Sequence, residues 1–262
     1  TGAVDSITTG DYNVGVGDGA LTSVTEGSQN TATGYRSLYS NTTGDYNVAV
    51  GSSALYYNTT GANNTANGWQ SLFYNTTGNK NTATGYQALY ANTTGANNVA
   101  TGYRSLRTNT TGTSNVAVGL QSLYNNTTAS NNVAIGQSTL LNNTTGYSNV
   151  AYGYEALKAN ATGALNTALG QAAGDNITTG SSNIIIGANV DAPSATASNQ
   201  LNIGNWIKGV DGAVTMPSQP AFSAYINAVQ NNLGVALYVD LQFNAETFDQ
   251  GNDFNTGTYE FT

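Results

Sequence analysis

Apolar positions along this chain follow a strict 17-residue period, not the period of a helix or of a single long strand. Most repeats carry Asn-[Val/Thr]-Ala-x-Gly, and a Leu follows the Gly by four positions. The Gly recurs at Gly17, Gly34, Gly51, Gly68, Gly85, Gly102, Gly119, Gly136, Gly153, Gly170, Gly187 and Gly204. The Leu recurs at Leu21, Leu38, Leu55, Leu72, Leu89, Leu106, Leu123, Leu140 and Leu157. Because no insertion interrupts these intervals, the repeat is the structural unit of the chain.

A third column of the repeat has the composition of a turn. It reads Asn-Thr-Thr-Gly from Asn41, Asn58, Asn75, Asn92, Asn109 and Asn143, with variants that begin at Asn126 and Asn160. We expect its Gly to supply a positive φ and its Asn to make local side-chain hydrogen bonds. Asn-Thr-Thr is also an N-glycosylation acceptor sequence, which would put a row of glycans on the surface. The simpler interpretation is that these residues only build turns.

The repeat predicts a parallel β-solenoid. A β-branched residue follows the Asn in nearly every repeat, which favours a short strand, and the next position is almost always Ala. A column restricted to Ala lies either inside a narrow coil or where two chains press together, and the Leu column is the main apolar filler. Seventeen residues are too few for a helical hairpin and suit one turn with two short strands and two bends. Twelve turns at a spacing of ~4.8 Å give a rod of roughly 55 Å. Because such a thin coil buries little apolar volume, we expect chains to associate along its length.

The repeat resembles a known architecture. Asn-Val-Ala-Val-Gly at 47–51 and 115–119, and Asn-Val-Ala-Ile-Gly at 132–136, resemble the Asn-Ser-Val-Ala-Ile-Gly motif of YadA-like trimeric autotransporter heads. Similar Asn-Thr-Ala-x-Gly-Tyr-x-Ala-Leu arrays occur in phage tail-fibre-like proteins. The resemblance covers about residues 10–204 and implies a left-handed parallel β-roll of three chains that acts as an adhesin. The family repeat is shorter, which indicates a longer turn here.

The period ends after Gly204, and a different segment follows. Residues 205–220 have the composition of a neck or connector. Ala221-Phe222-Ser223-Ala224, with the later Gly257-Thr258-Tyr259-Glu260-Phe261, resembles the opening of a C1q-like jelly roll. That resemblance implies a second trimeric module, of which 221–262 would be only the start. We therefore predict an all-β homotrimer: a solenoid shaft of about twelve 17-residue turns over 1–204, a neck, and a partial β-sandwich. Because the chain begins at Thr1, we interpret it as a fragment or a processed form.

Composition narrows the range of functions. Charged residues make up 8% of the chain, against roughly 25% in an ordinary globular domain. The absence of Cys and His removes thiol chemistry, His-dependent triads and the commonest metal ligand. A net charge of -8 with only six Lys and Arg argues against nucleic acid as a partner. No apolar run approaches the ~20 residues of a membrane span, and the glycines lack the Lys-Ser or Lys-Thr that follows a phosphate-binding loop.

Acidic residues concentrate at the two ends of the chain. Between Glu26 and Glu155 the only acid is Asp45, so one chain has no regular pair of carboxylates for glycosidase-type chemistry along the shaft. Asp240, Glu246, Asp249 and Asp253 cluster near the C-terminal end. Carboxylate oxygens are Ca²⁺ ligands, and some C1q-like domains bind Ca²⁺, so this group is a candidate calcium site. Solvated surface acids are the alternative, and we predict no other cofactor.

Aromatic residues form two columns, one directly after the Gly and one directly after the Leu. They are Tyr35, Trp69, Tyr86, Tyr103 and Tyr154, and Tyr39, Tyr56, Phe73, Tyr90 and Tyr124. In a stacked coil each column becomes a ladder of rings that pack along the rod or at a chain interface. A platform for sugar rings is the alternative. Interruptions such as Ser52, Leu120 and Gln137 indicate that parts of the columns face solvent.

These features favour a non-enzymatic structural fibre or adhesin that projects a receptor- or surface-binding tip. Its expected location is extracellular, on a cell surface or a virion, with further copies of itself and a host receptor or glycan as partners. One alternative is a tailspike-like solenoid that binds or cleaves polysaccharide. Another is an ice-binding solenoid, which the Thr column at Thr42, Thr59, Thr76, Thr93, Thr110, Thr127 and Thr144 would support.

Overall fold

A computed structural model of the chain contains a parallel β-solenoid, each 17-residue turn of which we call a rung. The structure describes Gly2, residues 9–215 and the backbone of four short strands between residues 222 and 261. Twelve strands pair in parallel in chain order, and their eleven pairings make about eleven turns. The strands are β1 (Val14–Val16), β2 (Thr31–Thr33), β3 (Val48–Val50), β4 (Thr65–Asn67), β5 (Thr82–Thr84), β6 (Val99–Thr101), β7 (Val116–Val118), β8 (Val133–Ile135), β9 (Val150–Tyr152), β10 (Thr167–Leu169), β11 (Ile184–Ile186) and β12 (Gln200–Ile203).

An antiparallel extension ends the sheet. Strand β13 (Ile207–Val210) pairs antiparallel with β12, and β14 (Ala213–Thr215) lies beside β13. Both lie inside the segment predicted as a connector. A separate unit begins at Thr215 and contains two antiparallel pairs, β15 (Phe222–Ala224) with β16 (Glu246–Asp249) and β17 (Phe254–Asn255) with β18 (Glu260–Phe261). The C1q-like assignment stays a prediction. The part of the chain that the structure describes has no helix of the length and apolarity needed to cross a bilayer.

Each rung has one strand of three or four residues, so the prediction of two strands per rung is wrong. The remaining backbone is a series of bends with positive φ at three non-glycine positions, for example Arg36 (50°), Leu38 (51°) and Tyr46 (58°). A left-handed conformation costs an L-residue roughly 1–2 kcal/mol. Complete burial of the Leu side chain contributes roughly 1.5–3 kcal/mol, so the Leu column offsets its own backbone strain.

Glycine is required at two positions of the repeat, for two different physical reasons. The Gly after each strand has φ between 125° and 135° from Gly17 to Gly187, a region that L-residues avoid, and a Cβ at Gly102 would lie 2.5 Å from the carbonyl oxygen of Gly119. The glycine of Asn-Thr-Thr-Gly was predicted to supply positive φ, and that prediction is wrong. A Cβ on Gly61 would instead meet the Gly78 carbonyl oxygen at 2.5 Å, so this glycine keeps the neighbouring rung close.

The core is a single narrow file of small apolar side chains. The Ala in the middle of nearly every strand from β2 onward and the Leu column from Leu21 to Leu157 are 0–1% exposed. The Ala column therefore lies inside the coil, one of the two predicted locations. The strand residues on either side of each Ala point outward. One Ala and one Leu fill most of the apolar volume of a rung, so the rest of the interior is polar.

Two continuous columns of buried asparagine complete the interior. The strand Asn column precedes the strands and comprises the half-buried Asn13 and the buried Asn30, Asn47, Asn64, Asn81, Asn98, Asn115, Asn132, Asn149, Asn166 and Asn183. In it Asn81 accepts at Oδ1 from both the backbone N–H (3.0 Å) and the Nδ2 (3.2 Å) of Asn98, while its own Nδ2 donates to the Gly95 carbonyl (2.8 Å). Each amide thus joins three consecutive rungs, and Gln200 ends the column with four such bonds.

The turn Asn column begins each Asn-Thr-Thr-Gly turn and runs from Asn41 to Asn160. Asn75 donates from Nδ2 to the Oδ1 of Asn58 (2.7 Å) and to the Gly78 carbonyl (2.9 Å), and its own Oδ1 accepts from Asn92 (2.7 Å). The predicted local bonds of the turn Asn are thereby confirmed. The same position holds Val24 below the column and Ile177 above it, both fully buried, so apolar side chains cover the two ends of the amide stack.

Truncation of a core Leu should destabilise the rod far more than truncation of a surface Leu. We expect Leu89→Ala to lower the free energy of unfolding by about 2–5 kcal/mol, because a fully buried side chain leaves a cavity. Leu120→Ala is the matched control, since Leu120 is 41% exposed, and should change stability by less than about 0.5 kcal/mol. Chemical denaturation measures both. Equal effects would contradict the assignment of the Leu column to the core.

Removal of one buried side-chain amide should lower the free energy of unfolding by more than the small size of the group suggests. Asn75→Ala leaves Asn58 Oδ1 without a partner. It also removes one of the two hydrogen bonds of the Gly78 carbonyl, which keeps Asn64, and of Asn92 Nδ2, which keeps the Gly95 carbonyl. At roughly 1–3 kcal/mol for the one unsatisfied acceptor and about 0.5–1 kcal/mol for each of the two other lost hydrogen bonds, we expect a loss of about 2–5 kcal/mol in unfolding free energy. Asn67→Ala, on the exposed face of β4, is the control and should be nearly neutral. A neutral Asn75→Ala would mean that water or a shifted backbone replaces these bonds.

Candidate functional site

The two predicted aromatic columns lie on the outside of the rod, on the bends that follow the strand. In the column after the Leu, Tyr39, Tyr56, Phe73 and Tyr90 form a continuous stack with ring centroids 5.1–5.3 Å apart. In the column after the Gly, Trp69, Tyr86 and Tyr103 stack with centroids 5.0 Å apart and planes within 17° of parallel. The rings are neighbours because the 17-residue rung places equivalent residues one strand spacing apart. The predicted ring ladders are therefore confirmed over these rungs.

A third, shorter stack was missed by sequence analysis. Tyr57 and Tyr74 occupy the second position after the Leu, stack with planes 2° apart, and contact the neighbouring column edge-on at Tyr56, Phe73 and Tyr90. Only these two rungs carry an aromatic residue there, so the column was invisible as a repeat. The signal was present as two adjacent aromatic residues in each of two consecutive rungs. Burial, followed by the hydrogen bond and charge of Tyr74, raises the pKa of Tyr90 above its ordinary value.

All three arginines of the chain lie among these rings. The Arg36 guanidinium is 5.0 Å from the ring centroid of Tyr35 and 5.6 Å from that of Tyr39, so it bridges the two columns. Arg104 lies 5.0 Å from Tyr103 and 5.7 Å from Tyr86. Because guanidinium groups over aromatic faces are attracted by the ring quadrupole, they bind the columns into one surface.

Arg107 takes the place of a ring in the column after the Leu. Its guanidinium lies 5.1 Å from the ring of Tyr90 and 5.8 Å from that of Tyr124, one rung to either side. The Nε of Arg107 and the Nε of Arg104 both donate to Oε1 of Gln87 at 3.2 Å, and Gln87 in turn donates to Gln70. Gln87 is 93% buried, since only 7% of it is exposed. We call this surface, which comprises the three ring columns, the three arginines and Gln70 and Gln87, the aromatic ridge.

Three predicted residues stand outside the ring stacks. Tyr35 is separated from Trp69 by Ser52 and contacts Arg36 instead. Among the described residues, Tyr124 contacts Arg107 and no ring. Tyr154 has Gln137 and Gln171 at the equivalent positions one rung away, and its hydroxyl lies beside Glu155, which raises the pKa of Tyr154. The aromatic ridge therefore extends from the rung of Tyr35 to that of Tyr124, and Tyr154 lies apart from it.

The acceptor asparagines of the predicted glycosylation sequence lie inside the rod. Asn41, Asn58 and Asn75 are 0% exposed, and each Nδ2 donates a hydrogen bond within the turn. A folded rod thus offers no acceptor nitrogen at these turns, and the turn-forming interpretation explains the motif. The Thr column is also engaged, because the hydroxyl of Thr42 donates to the Thr59 carbonyl at 3.0 Å and the pattern repeats at Thr59, Thr76, Thr93, Thr110, Thr127 and Thr144. These hydroxyls stabilise the stack.

Acidic side chains meet at one place in the described solenoid. Near its C-terminal end, burial and then the hydrogen bond with Asp191 raise the pKa of Asp175. One rung below, Glu155 and Lys158 form an ion pair at 2.7 Å, which lowers the pKa of Glu155. Within residues 9–215 no group of three acids could hold a metal ion. The candidate calcium ligands Asp240, Glu246, Asp249 and Asp253 lie outside the described side chains, so that site stays a prediction.

Comparison with family models, curated proteins and solved structures finds no match to this chain. The likeness to YadA-like heads and tail-fibre arrays therefore rests on the quoted motifs alone.

The Asp175–Asp191 pair should make the solenoid more stable in acid than a single surface acid would. Folding favours protonated Asp175, because its pKa rises from about 3.9 in the unfolded chain. This stabilisation is present below about pH 4 and declines as pH increases through the raised folded value. We expect Asp175→Asn to raise the thermal midpoint at pH 7 and to change it much less near pH ~3.5. Asp211→Asn, on an exposed turn, is the control. If Asp175→Asn shifted the thermal midpoint equally at pH 7 and near pH ~3.5, the coupling between folding and protonation of Asp175 would be contradicted.

Proposed function

We propose that this protein is a non-enzymatic fibre shaft that assembles as a homotrimer outside the cell and presents an adhesive surface. The observation that carries the proposal is the uninterrupted stack of equal rungs. Eleven parallel pairings follow one another with a constant offset of 17 residues, and buried amides couple each rung to its neighbours. A stack of this kind sets length and stiffness, which are the properties of a spacer.

The outer face of the parallel strands supports self-association. Each of the twelve strands contributes the two residues on either side of its central residue, from Val14 to Ile203. None of these 24 positions carries a charge. From β6 onward most of them are aliphatic, and several are well exposed, such as Val150 (45%), Leu169 (48%) and Ile184 (44%). We call this surface the strand face. An extended apolar surface on a chain with a net charge of -8 is typical of a protein contact.

The dimensions of the strand face fit a stable contact between copies. Eleven steps of ~4.8 Å by a strand width of roughly 10 Å give a projected area of about 500 Å² before side-chain relief is counted. A stable interface removes about 800 Å² of accessible surface from each partner. A second copy presents the same uncharged, regularly spaced columns, so identical rods match in length and register. Three copies are proposed on the resemblance to trimeric heads.

The mass of the particle in solution tests this proposal. Light scattering on the full chain should give three times 26.9 kDa. Val150→Lys combined with Leu169→Lys should shift the particle to one chain, because two buried charges per chain would oppose the contact. Thr145→Lys with Thr162→Lys adds the same charge at exposed turn positions of neighbouring rungs and should leave the trimer intact. A monomeric wild-type chain, or equal behaviour of both variants, would refute association through the strand face.

A further inference from the structure

We propose that the aromatic ridge binds an acidic polysaccharide, with Arg104 and Arg107 forming the site for its anionic groups. The inference rests on the adhesive role proposed above and names the ligand class of that role. Its core is the pair of guanidinium groups that converge on one buried amide oxygen, Oε1 of Gln87, at 3.2 Å each. The two Nε atoms are therefore no further apart than twice that distance.

The guanidinium charges of Arg104 and Arg107 repel each other at this distance, so their close placement needs a physical explanation. No Asp or Glu occurs between Asp45 and Glu155, so the sequence around the pair offers no counter-charge, and within residues 9–215 no carboxylate contacts either guanidinium. The protein as a whole carries a net charge of -8, so this concentration of cations is local. A pair of arginines with unpaired charge is the arrangement that recognises carboxylate, sulfate or phosphate.

The hydrogen-bonding capacity of the pair is largely unused by the protein. A guanidinium carries five N–H donors. Within the described residues Arg104 donates one side-chain hydrogen bond, to Gln87, and Arg107 donates to Gln87 and weakly to the Tyr124 hydroxyl at 3.4 Å. Packing on Tyr103 and Tyr90 holds both planes in place. The site is therefore oriented before any ligand arrives, which lowers the entropy lost on binding.

The rest of the aromatic ridge suits a hydroxyl-rich chain better than a nucleic acid. Trp69, Tyr86 and Tyr103 cover one another's faces at 5.0 Å, so the sides of the stack, and not open ring faces, meet solvent. Single-stranded nucleic acids need open aromatic faces for their bases and closely spaced cations for their phosphates. Here phenol groups and the amide of Gln70 line a straight surface with cations at only a few rungs. A sugar chain with sparse negative charge matches that arrangement.

The aromatic ridge is a different surface from the strand face. Its columns begin after the chain has turned at the repeat Gly, whereas the strand face ends before that Gly. Exposures of 37–43% for Trp69, Tyr86 and Tyr103 leave these side chains within reach of a ligand in the single chain. Association through the strand face leaves one ridge on each copy, so a trimer would present three parallel sites.

Binding of defined polysaccharides to the full chain tests the proposal. The probes are polygalacturonate for carboxylates, dextran sulfate for sulfates, neutral dextran as the uncharged control, and oligothymidylate as the nucleic-acid control. We expect at least one anionic polysaccharide to bind and dextran and oligothymidylate to bind at least about tenfold more weakly at the same ionic strength. Arg104→Gln with Arg107→Gln should weaken that binding about tenfold or more.

Matched variants separate the site from general charge. Lys80→Gln with Lys208→Gln removes the same charge away from the aromatic ridge and should bind as the wild type does. Arg104→Lys with Arg107→Lys keeps the charge but loses the planar fork, and should bind more weakly than wild type. Thermal unfolding confirms that each variant folds. Absence of binding to both anionic polysaccharides, unchanged binding after the double Gln substitution, or tighter binding of oligothymidylate would overturn the proposal. A trimer that binds neither would leave the shaft function standing.

Discussion

The structure depends on buried side-chain amides that hydrogen-bond from rung to rung. A buried amide without partners costs roughly 1–3 kcal/mol for each group left unsatisfied, so an asparagine inside a thin coil is tolerated only when the next asparagine lies directly above it. That condition explains the constant period of 17 residues: an insertion in one rung would shift one amide out of line and break bonds in two neighbouring rungs. The small Ala and Leu core follows from it, since the two Asn columns occupy much of the interior. Val24 and Ile177 occupy the equivalent position one rung beyond each end of the turn Asn column, and their buried apolar side chains need no hydrogen-bond partner.

Since the described interior satisfies its polar side chains, with the Thr22 hydroxyl as the exception, the outer surfaces are free to vary. The strand face carries short β-branched and aliphatic side chains without charge, while the bends after the repeat Gly carry rings and arginines over about six rungs. The first composition suits a second copy, and the second suits a ligand with sparse negative charge. We therefore regard the rod as a scaffold in which one set of columns sets stability, another sets assembly, and a third sets what the surface contacts.

Sequence analysis predicted the solenoid, the buried Leu column and the ring ladders, because each depends on residues that recur at the same position in most rungs. It failed where a feature depends on backbone conformation or on a few rungs only. The Asn-Thr-Thr-Gly glycine was assigned a positive φ from its residue type, whereas crowding by the next rung is its cause. Two strands per rung were expected from the length of the repeat, but the half that contains the Leu bends at two left-handed residues, such as Arg36 and Leu38. Tyr57 with Tyr74, and the shared acceptor Gln87, leave no periodic signal because they occur in one or two rungs.

Distances between exposed turn residues test the stacked-rung account most directly. The chain has no Cys, so paired Cys substitutions at Thr43 with Thr111, and at Thr43 with Thr162, accept spin labels only at those sites. These pairs are separated by four and seven rungs, which at ~4.8 Å per rung predicts mean distances of about 19 and 34 Å. Dilution with unlabelled protein removes distances between copies. A difference near 14 Å between the two narrow distributions supports the account at this rise per rung. Broad distributions, or distances that do not increase in proportion to the number of rungs, would contradict it.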